Sequence, residues 1–351
     1  MKLVSIVGAR PQFIKLKPIS EQLSKTKHNH IIVHSGQHYD FNMSDVFFEG
    51  LKIPEPDFNL EVGSGSHADQ TGKMLIKIEE VLFQTKPDWV LVYGDTNSTL
   101  AGAVAASKIN IPVVHIEAGL RSFNRSMPEE LNRVVTDHVS NVLFAPTEMA
   151  MRHLQKEGLA GNSFLVGDVM ADLLFSILDS NTDSTEIQRD SYLVSTIHRA
   201  SNTDDQAQLS RIIKGLATIG TKVLLIAHPR LSAAIKKFNI KLESDNIEIC
   251  EPLGYLQMVN LIKHSMGVIT DSGGLQKDAF LVGAPCITLR TETEWPETFE
   301  GNMNVLDPFA ENLTDLIRRE VTNPTGRPFG DGNAARKIIE ILENNPLGKL
   351  T

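Results

Sequence analysis

The chain has 351 residues, a length that makes two domains the first expectation. Charged residues make up 22% and hydrophobic ones 41%, the balance of a soluble globular protein. With 34 basic and 43 acidic side chains the formal net charge is −9, which argues against a nucleic-acid partner or an anionic membrane surface, although a local basic pocket for one small anion stays open.

The chain begins with an apolar run, Leu3 to Val7, that Arg10 follows too soon for a secretion signal. Short Val- and Ile-rich runs then alternate with helix-length segments. Strands are expected at 2–7, 30–35, 89–94, 112–116, 142–145 and 163–166, and helices near 14–25, 68–84, 96–108, 128–140 and 147–157. WVLVYGD is apolar on both faces, as a parallel strand covered by helices on each side should be. The polar stretch Asp179–Thr185 reads as a loop near a domain boundary. The rhythm restarts with strands at 191–197, 222–227, 246–250, 267–270 and 285–289 and helices near 205–219, 231–238, 255–264, 274–282, 310–322 and 332–344. The expectation is α/β: two Rossmann-like, doubly wound domains, 1–170 and 171–351, facing across a cleft that holds the ligand, with the last helix free to pack back on the first domain. No run approaches the roughly 18 uninterrupted apolar residues of a membrane span.

Nearly every expected strand ends in a polar cluster. Arg10 and Lys15 follow the first; Gln37 and His38, then Asp95, then Glu117 follow the next three. In the second half the ends carry His198, His228, Asp271-Ser272-Gly273-Gly274 and Arg290. Caps and turns explain Asp, Ser and Gly at such places, but not Arg, His and Glu. The Asp-Ser-Gly-Gly turn opens a helix, and glycine lets backbone N–H groups approach a ligand, so it reads as a diphosphate cradle. It lacks the Lys-Ser/Thr of a P-loop, and no GxGxxG follows either first strand, so an NTPase or a dinucleotide enzyme is not supported. Asp95, Glu117 and Glu129 would suit removal and return of a proton. Glu129 opens a helix behind Pro128 and could equally be a dipole-favoured first-turn residue. Neither HExxH nor CxxC occurs, so no metal is expected. Cys250 and Cys286 lie in apolar runs and read as buried thiols in a reducing, cytoplasmic compartment.

Eight motifs carry a resemblance: GARPQFIK (8–15), GQHYD (36–40), GDTNSTLAG (94–102), HIEAGLRS (115–122), MPEELNR (127–133), IHRASN (197–202), TDSGGLQKDA (270–279) and RTETEWPE (290–297). In this order and spacing, over essentially the whole chain, they resemble the non-hydrolysing UDP-N-acetylglucosamine 2-epimerase family, which has a glycosyltransferase-B-like fold. The resemblance implies inversion at C2 of the sugar, giving UDP-N-acetylmannosamine, by loss and re-addition of UDP through 2-acetamidoglucal, in the service of cell-surface polysaccharide synthesis. It implies no cofactor and a homodimer. Asp95, Glu117 and Glu129 match the family's acid/base carboxylates. Arg10, Lys15 and His198 match residues around the sugar diphosphate, and Arg133 one near the carboxylates. Ser272, Gly273 and Gly274 match the phosphate turn, and Asp278 the ribose contact.

The departures are specific. Asp278 stands where many members carry Glu, and Glu294-Trp295-Pro296 where Glu-Arg-Pro is common. Gln37 and His38 match a second, activating UDP-sugar site, but the stretch Gly63–Thr71 lacks the Arg that accompanies it. Gly167–Met170, Ile197–Ala200 and Thr293–Trp295 look like a branch acting on UDP-2,3-diacetamido-2,3-dideoxyglucuronate, which is the first alternative substrate. A glycosyltransferase would need only one base to activate its acceptor, and a non-catalytic sensor should have lost one of Asp95, Glu117, Glu129 and His198.

Overall fold

The computed structural model describes residues 1–37, 53–180, 191–242 and 244–344. The chain divides into two units, Met1–Ser180 with Arg327–Thr351, and Asn181–Gly326. The first unit is built on strands β1 (Lys2–Val7), β2 (Asn29–His34), β3 (Phe58–Asn59), β4 (Trp89–Tyr93), β5 (Val113–Ile116), β6 (Val142–Ala145) and β7 (Ser163–Leu165). They form one parallel sheet in the order β3-β2-β1-β4-β5-β6-β7. Helices α1 (Arg10–Leu23), α2 (His67–Thr85), α3 (Asn97–Lys108), α4 (Pro128–Val139), α5 (Glu148–Lys156) and α6 (Val169–Ser180) connect or follow them. Every residue of β4 is buried, which is why it reads as an unbroken apolar run. Helix α2 shows the other pattern. Gln70, Met74, Ile78, Val81, Leu82 and Thr85 are buried at helical spacing, Ser66 caps the start by accepting from the Asp69 N–H, and left-handed Lys86 ends it. Met74 and Ile78 join Val4, Ile6, Val90 and Val92 in one core, and each such buried side chain contributes about 1.5–3 kcal/mol relative to exposure.

In the second unit, β8 (Tyr192–Thr196), β9 (Lys222–Ile226), β10 (Ile247–Cys250), β11 (Gly267–Thr270), β12 (Cys286–Thr288) and β13 (Asn304–Leu306) form a parallel sheet in the order β10-β9-β8-β11-β12-β13. Helices α7 (Ala200–Thr203), α8 (Gln206–Thr218), α9 (Pro229–Phe238), α10 (Tyr255–His264), α11 (Gly273–Leu281) and α12 (Leu313–Ile317) belong to it. Leu193, Ile212, Leu216, Val223, Ile269 and Ile287 anchor its separate core. Both sheets are α/β and doubly wound, the glycosyltransferase-B-like class expected from the sequence.

The differences from expectation are local. Helix α6, which the sequence reading divides between its domains, packs in the first unit, and α13 (Ala334–Asn344) returns there too. Its first N–H groups, from Ala334 and Ala335, donate to the Asp172 carboxylate of α6 at 3.0 and 2.7 Å. The helix expected over 310–322 shortens to α12, because Arg319 turns inward to the carbonyls of Cys286, Asn302 and Met303. Cys286 is buried, and desolvation pushes its thiol up to about 12; Cys250 is only half-buried, because β10 is an edge strand. Among the described residues no helix is long and apolar enough to cross a membrane.

Candidate active site

Each sheet reverses its strand order once, at β1 between β2 and β4 and at β8 between β9 and β11. Loops diverge at the carboxyl ends of such strands and leave a crevice. The polar clusters seen in the sequence stand at these ends.

In the first unit, α1 starts almost directly after β1, with Arg10 as its first residue. One turn on, Lys15 reaches Glu117: Nζ lies 2.8 Å from Oε1, and both side chains are 7% exposed. Glu117 follows β5 with φ of 74°, in the left-handed region that costs a non-glycine residue about 1–3 kcal/mol. The N–H groups of Glu117 and Ala118 both donate to the Phe144 carbonyl, at 3.1 and 3.0 Å. Gly94, at the end of β4, leaves the path for Lys15 open, since a Cβ there would meet Nζ at 2.7 Å.

Asp95 is the next residue. Its Oδ2 accepts from Nε and Nη2 of Arg133 at 2.9 and 2.6 Å, a fork presented by α4. Arg133 spends Nη1 on Glu130, at 2.9 Å. Glu130 also accepts from the N–H groups of Ser122 and Phe123 and from the Ser122 hydroxyl. Burial would push the Glu130 carboxyl up, but these donors and Arg133 outweigh it and hold it below the usual range. Glu130 is therefore committed to structure, whereas neighbouring Glu129 is exposed and, among the described residues, forms no ion pair.

Of the two residues matched to a second site, His38 lies outside the described residues. Gln37 uses its amide oxygen to accept from the N–H and hydroxyl of Ser98, at 3.1 and 2.7 Å. Gln70 ties the adjacent stretch to it by donating to the Gln37 and Gly63 carbonyls.

In the second unit, His198 follows β8 and keeps 38% of its side chain exposed, while Nδ1 lies 2.9 Å from Oδ1 of buried Asp271. Asp271 directly follows β11 and also accepts from the N–H groups of His198 and Arg199 and from Nδ2 of Asn202. Burial would raise its carboxyl, but His198 and these other donors hold it down at about 2. With Nδ1–H donated to a fixed carboxylate, Nε2 is the ring nitrogen left to face outward.

Ser272 caps α11 by accepting from the Leu275 N–H, and Gly273 and Gly274 form the first turn, whose N–H groups have no partner within a helix. Space at Gly273 is exhausted, since a Cβ would meet Oε1 of Glu294 at 2.2 Å. Glu294 is held there by Arg290 at 2.7 Å. Asp278, one turn further along α11, is buried and accepts from the Tyr255 hydroxyl at 3.1 Å. The sequence reading thus finds the strand-end residues but misses three pairings: Asp271 with His198, Tyr255 with Asp278, and Glu294 with Arg290 beside Gly273. Asp271 was visible only as part of a turn, and nothing in the spacing joins it to His198.

A family model described as UDP-N-acetylglucosamine 2-epimerase matches residues 21–343. The UDP-N-acetylglucosamine 2-epimerase of Methanocaldococcus jannaschii is 45% identical over 97% of this chain and 99% of its own. The UDP-2,3-diacetamido-2,3-dideoxy-D-glucuronate 2-epimerase of Pseudomonas aeruginosa is also 45% identical, with the same coverage of both chains. The crystal structure of the M. jannaschii enzyme in complex with UDP-GlcNAc and UDP matches with a TM-score of 0.91 at 43% identity, over 98% of this chain and 100% of that one.

Proposed function

This chain belongs to the UDP-N-acetylglucosamine 2-epimerase family and is an epimerase, and from that premise we infer that it inverts C2 of a UDP-2-acetamido sugar, interconverting UDP-N-acetylglucosamine and UDP-N-acetylmannosamine. The observation that carries the reading is the pairing of carboxylates with cations at adjacent strand ends, Glu117 with Lys15 and Asp95 with Arg133. The C2 proton is not beside a carbonyl, so direct removal to a carbanion is unfavourable. Elimination avoids that ion. A carboxylate takes the C2 proton, the C2–H pair becomes the C1=C2 bond of 2-acetamidoglucal, and the C1–O bond breaks as UDP leaves with its electrons. A phosphate oxygen of UDP then adds back to C1 while an acid on the other face returns a proton to C2.

Asp95, Glu117 and Glu129 are the proton-handling groups in this reading. Lys15 and Arg133 hold two of them in place, and Arg10 and His198 stabilise the departing diphosphate. Ser272, Gly273 and Gly274 hold the diphosphate at the start of α11, and Asp278 with Tyr255 reads the ribose. Proton NMR in D2O tests the scheme. Incubation with UDP-N-acetylglucosamine should give the manno isomer with deuterium at C2; recovery of unlabelled gluco substrate alone refutes it.

A second substrate reading has its own support. The P. aeruginosa relative, as similar as the M. jannaschii one, is named for a diacetamido-uronate. Side-by-side turnover on both sugars decides between them. We also read the protein as a cytoplasmic homodimer supplying cell-surface polysaccharide synthesis. Its cysteines are free thiols, in keeping with a reducing compartment, and light scattering should return twice the mass of one chain.

A further inference from the structure

Asp137 has no part in the reading above, yet it is completely buried on α4, facing the strand ends that carry Glu117 and Asp95. Its carboxylate accepts from His115 Nδ1 at 2.6 Å, from Arg121 Nη1 at 2.7 Å and from the Gly119 N–H at 3.1 Å. These three donors bracket Glu117 along the chain. The bracketed turn has two left-handed residues, Glu117 at φ 74° and Gly119 at φ 82°. Gly119 packs so closely that a Cβ would meet the Ala150 carbonyl oxygen at 2.5 Å. Glutamate has no preference for this conformation, so the surrounding bonds must impose it.

His115 extends the clamp in a second direction. Nε2 lies 2.7 Å from the carbonyl oxygen of Gly94, the residue before Asp95. The ring therefore spans from a carboxylate to a carbonyl, and both partners are acceptors. Arg121 makes a fork to Glu157 at 2.7 and 2.8 Å, so the clamp closes on a second carboxylate, with His138 3.9 Å from Glu157 at the exposed end. Burial would push the Asp137 carboxyl up, and His115 and Arg121 hold it below its ordinary range.

We propose that Asp137 and His115 are a buried positioning pair that sets the Glu117 carboxylate and the Asp95 turn in register with each other. The proposal rests on the reading of those two carboxylates as proton-handling groups. A network serving stability alone would have no reason to tie both turns through one ring; this one fixes the backbone on each side of Glu117 and just before Asp95.

The test uses the full chain labelled at histidine nitrogen. In the wild type, His115 Nδ1 should carry a slowly exchanging proton held by Asp137, and a freely exchanging ring there overturns the proposal. Asp137→Asn offers the ring an amide in place of the charge, and His115→Gln removes the span. Each should lower kcat at least about tenfold, as expected for reacting groups displaced by a fraction of an ångström, with KM within about threefold. UDP affinity should change little, because neither Asp137 nor His115 is among the residues read as holding UDP. Glu157→Gln, which loosens Arg121 and the distant contact to His138 but touches neither His115 nor Asp137, should keep kcat within about twofold while lowering the melting temperature. A folded Asp137→Asn protein with wild-type kcat refutes the proposal. If neither variant folds, the nitrogen spectrum of the wild type decides alone. If the wild type incorporates no deuterium at C2 of any UDP-sugar, the functional reading fails instead, and the spectrum still reports the pair.

Discussion

Replacing Asp271 by Asn tests both the electrostatics and the chemistry of the second unit. The carboxylate is fully buried and collects four donor groups, from the His198 backbone and ring, the Arg199 backbone and the Asn202 amide. Its folded value of about 2 lies below the roughly 3.9 of an unfolded aspartate. The native state therefore binds fewer protons than the unfolded state between about pH 2 and 4. Stability from this group is fully present above that window and is lost as pH falls through it. The difference amounts to about 2–3 kcal/mol. An asparagine keeps one acceptor oxygen but turns an NH2 toward donors, so at neutral pH the variant should lose about 2–3 kcal/mol. Thermal melts of both proteins from pH 7 to pH 3 give the readout. The wild-type advantage should be constant from pH 7 to about 5 and shrink below 4. Turnover should fall as well, because His198 loses the partner that fixes its Nδ1. An undiminished gap at pH 3 would show that the carboxylate is not held charged by these donors, and the assignment of His198 orientation would fall with it.

The other expectations concern the carboxylates, the nucleotide and the second site. Asp95→Asn, Glu117→Gln and Glu129→Gln should each cut kcat by about 100-fold or more while leaving UDP affinity nearly intact; a fully active Glu117→Gln protein removes that residue from the scheme. Gly273→Val must displace Glu294, whose Oε1 would lie 2.2 Å from the new Cβ, and should weaken UDP binding at least about tenfold by calorimetry. Tyr255→Phe deletes the hydroxyl that donates to Asp278 and should weaken UDP by about 0.5–1.5 kcal/mol; unchanged affinity places the ribose elsewhere. Gln37 is occupied with Ser98, and the Gly63–Thr71 stretch has no Arg. The manno substrate alone should therefore give hyperbolic rates without a lag, and a lag abolished by trace UDP-N-acetylglucosamine would contradict this.

What the sequence shows of this fold follows from burial. Strands such as Trp89–Tyr93 are covered on both faces and so are apolar throughout, which makes them visible without any periodicity. Val169–Ser180 carries only a narrow polar stripe, Asp172, Ser176 and Asp179 at helical spacing, within a mostly apolar stretch that the sequence reading leaves without an element. Phe58–Asn59 and Asn304–Leu306 are too short to carry a pattern, and their strand character comes from the neighbours they pair with.

The site divides along a related line. Residues at strand ends are legible because polar groups interrupt apolar runs there. Pairings are not, because Asp95 meets Arg133, Lys15 meets Glu117 and His198 meets Asp271 only through the sheet order. That distinction bears on the chemistry. A carboxylate held by a cation stays ionised and placed, ready to accept a proton, whereas an acid must hold one before it can donate. Glu129, exposed and in no ion pair among the described residues, is the member of the trio whose charge this unit constrains least. If the trio shares the work as we read it, Glu129 is the carboxylate whose position the first unit fixes least. Glu129→Asp, which withdraws the carboxyl by one methylene, should then cost kcat less than Glu117→Asp does, and a larger loss at Glu129 would refute that ranking.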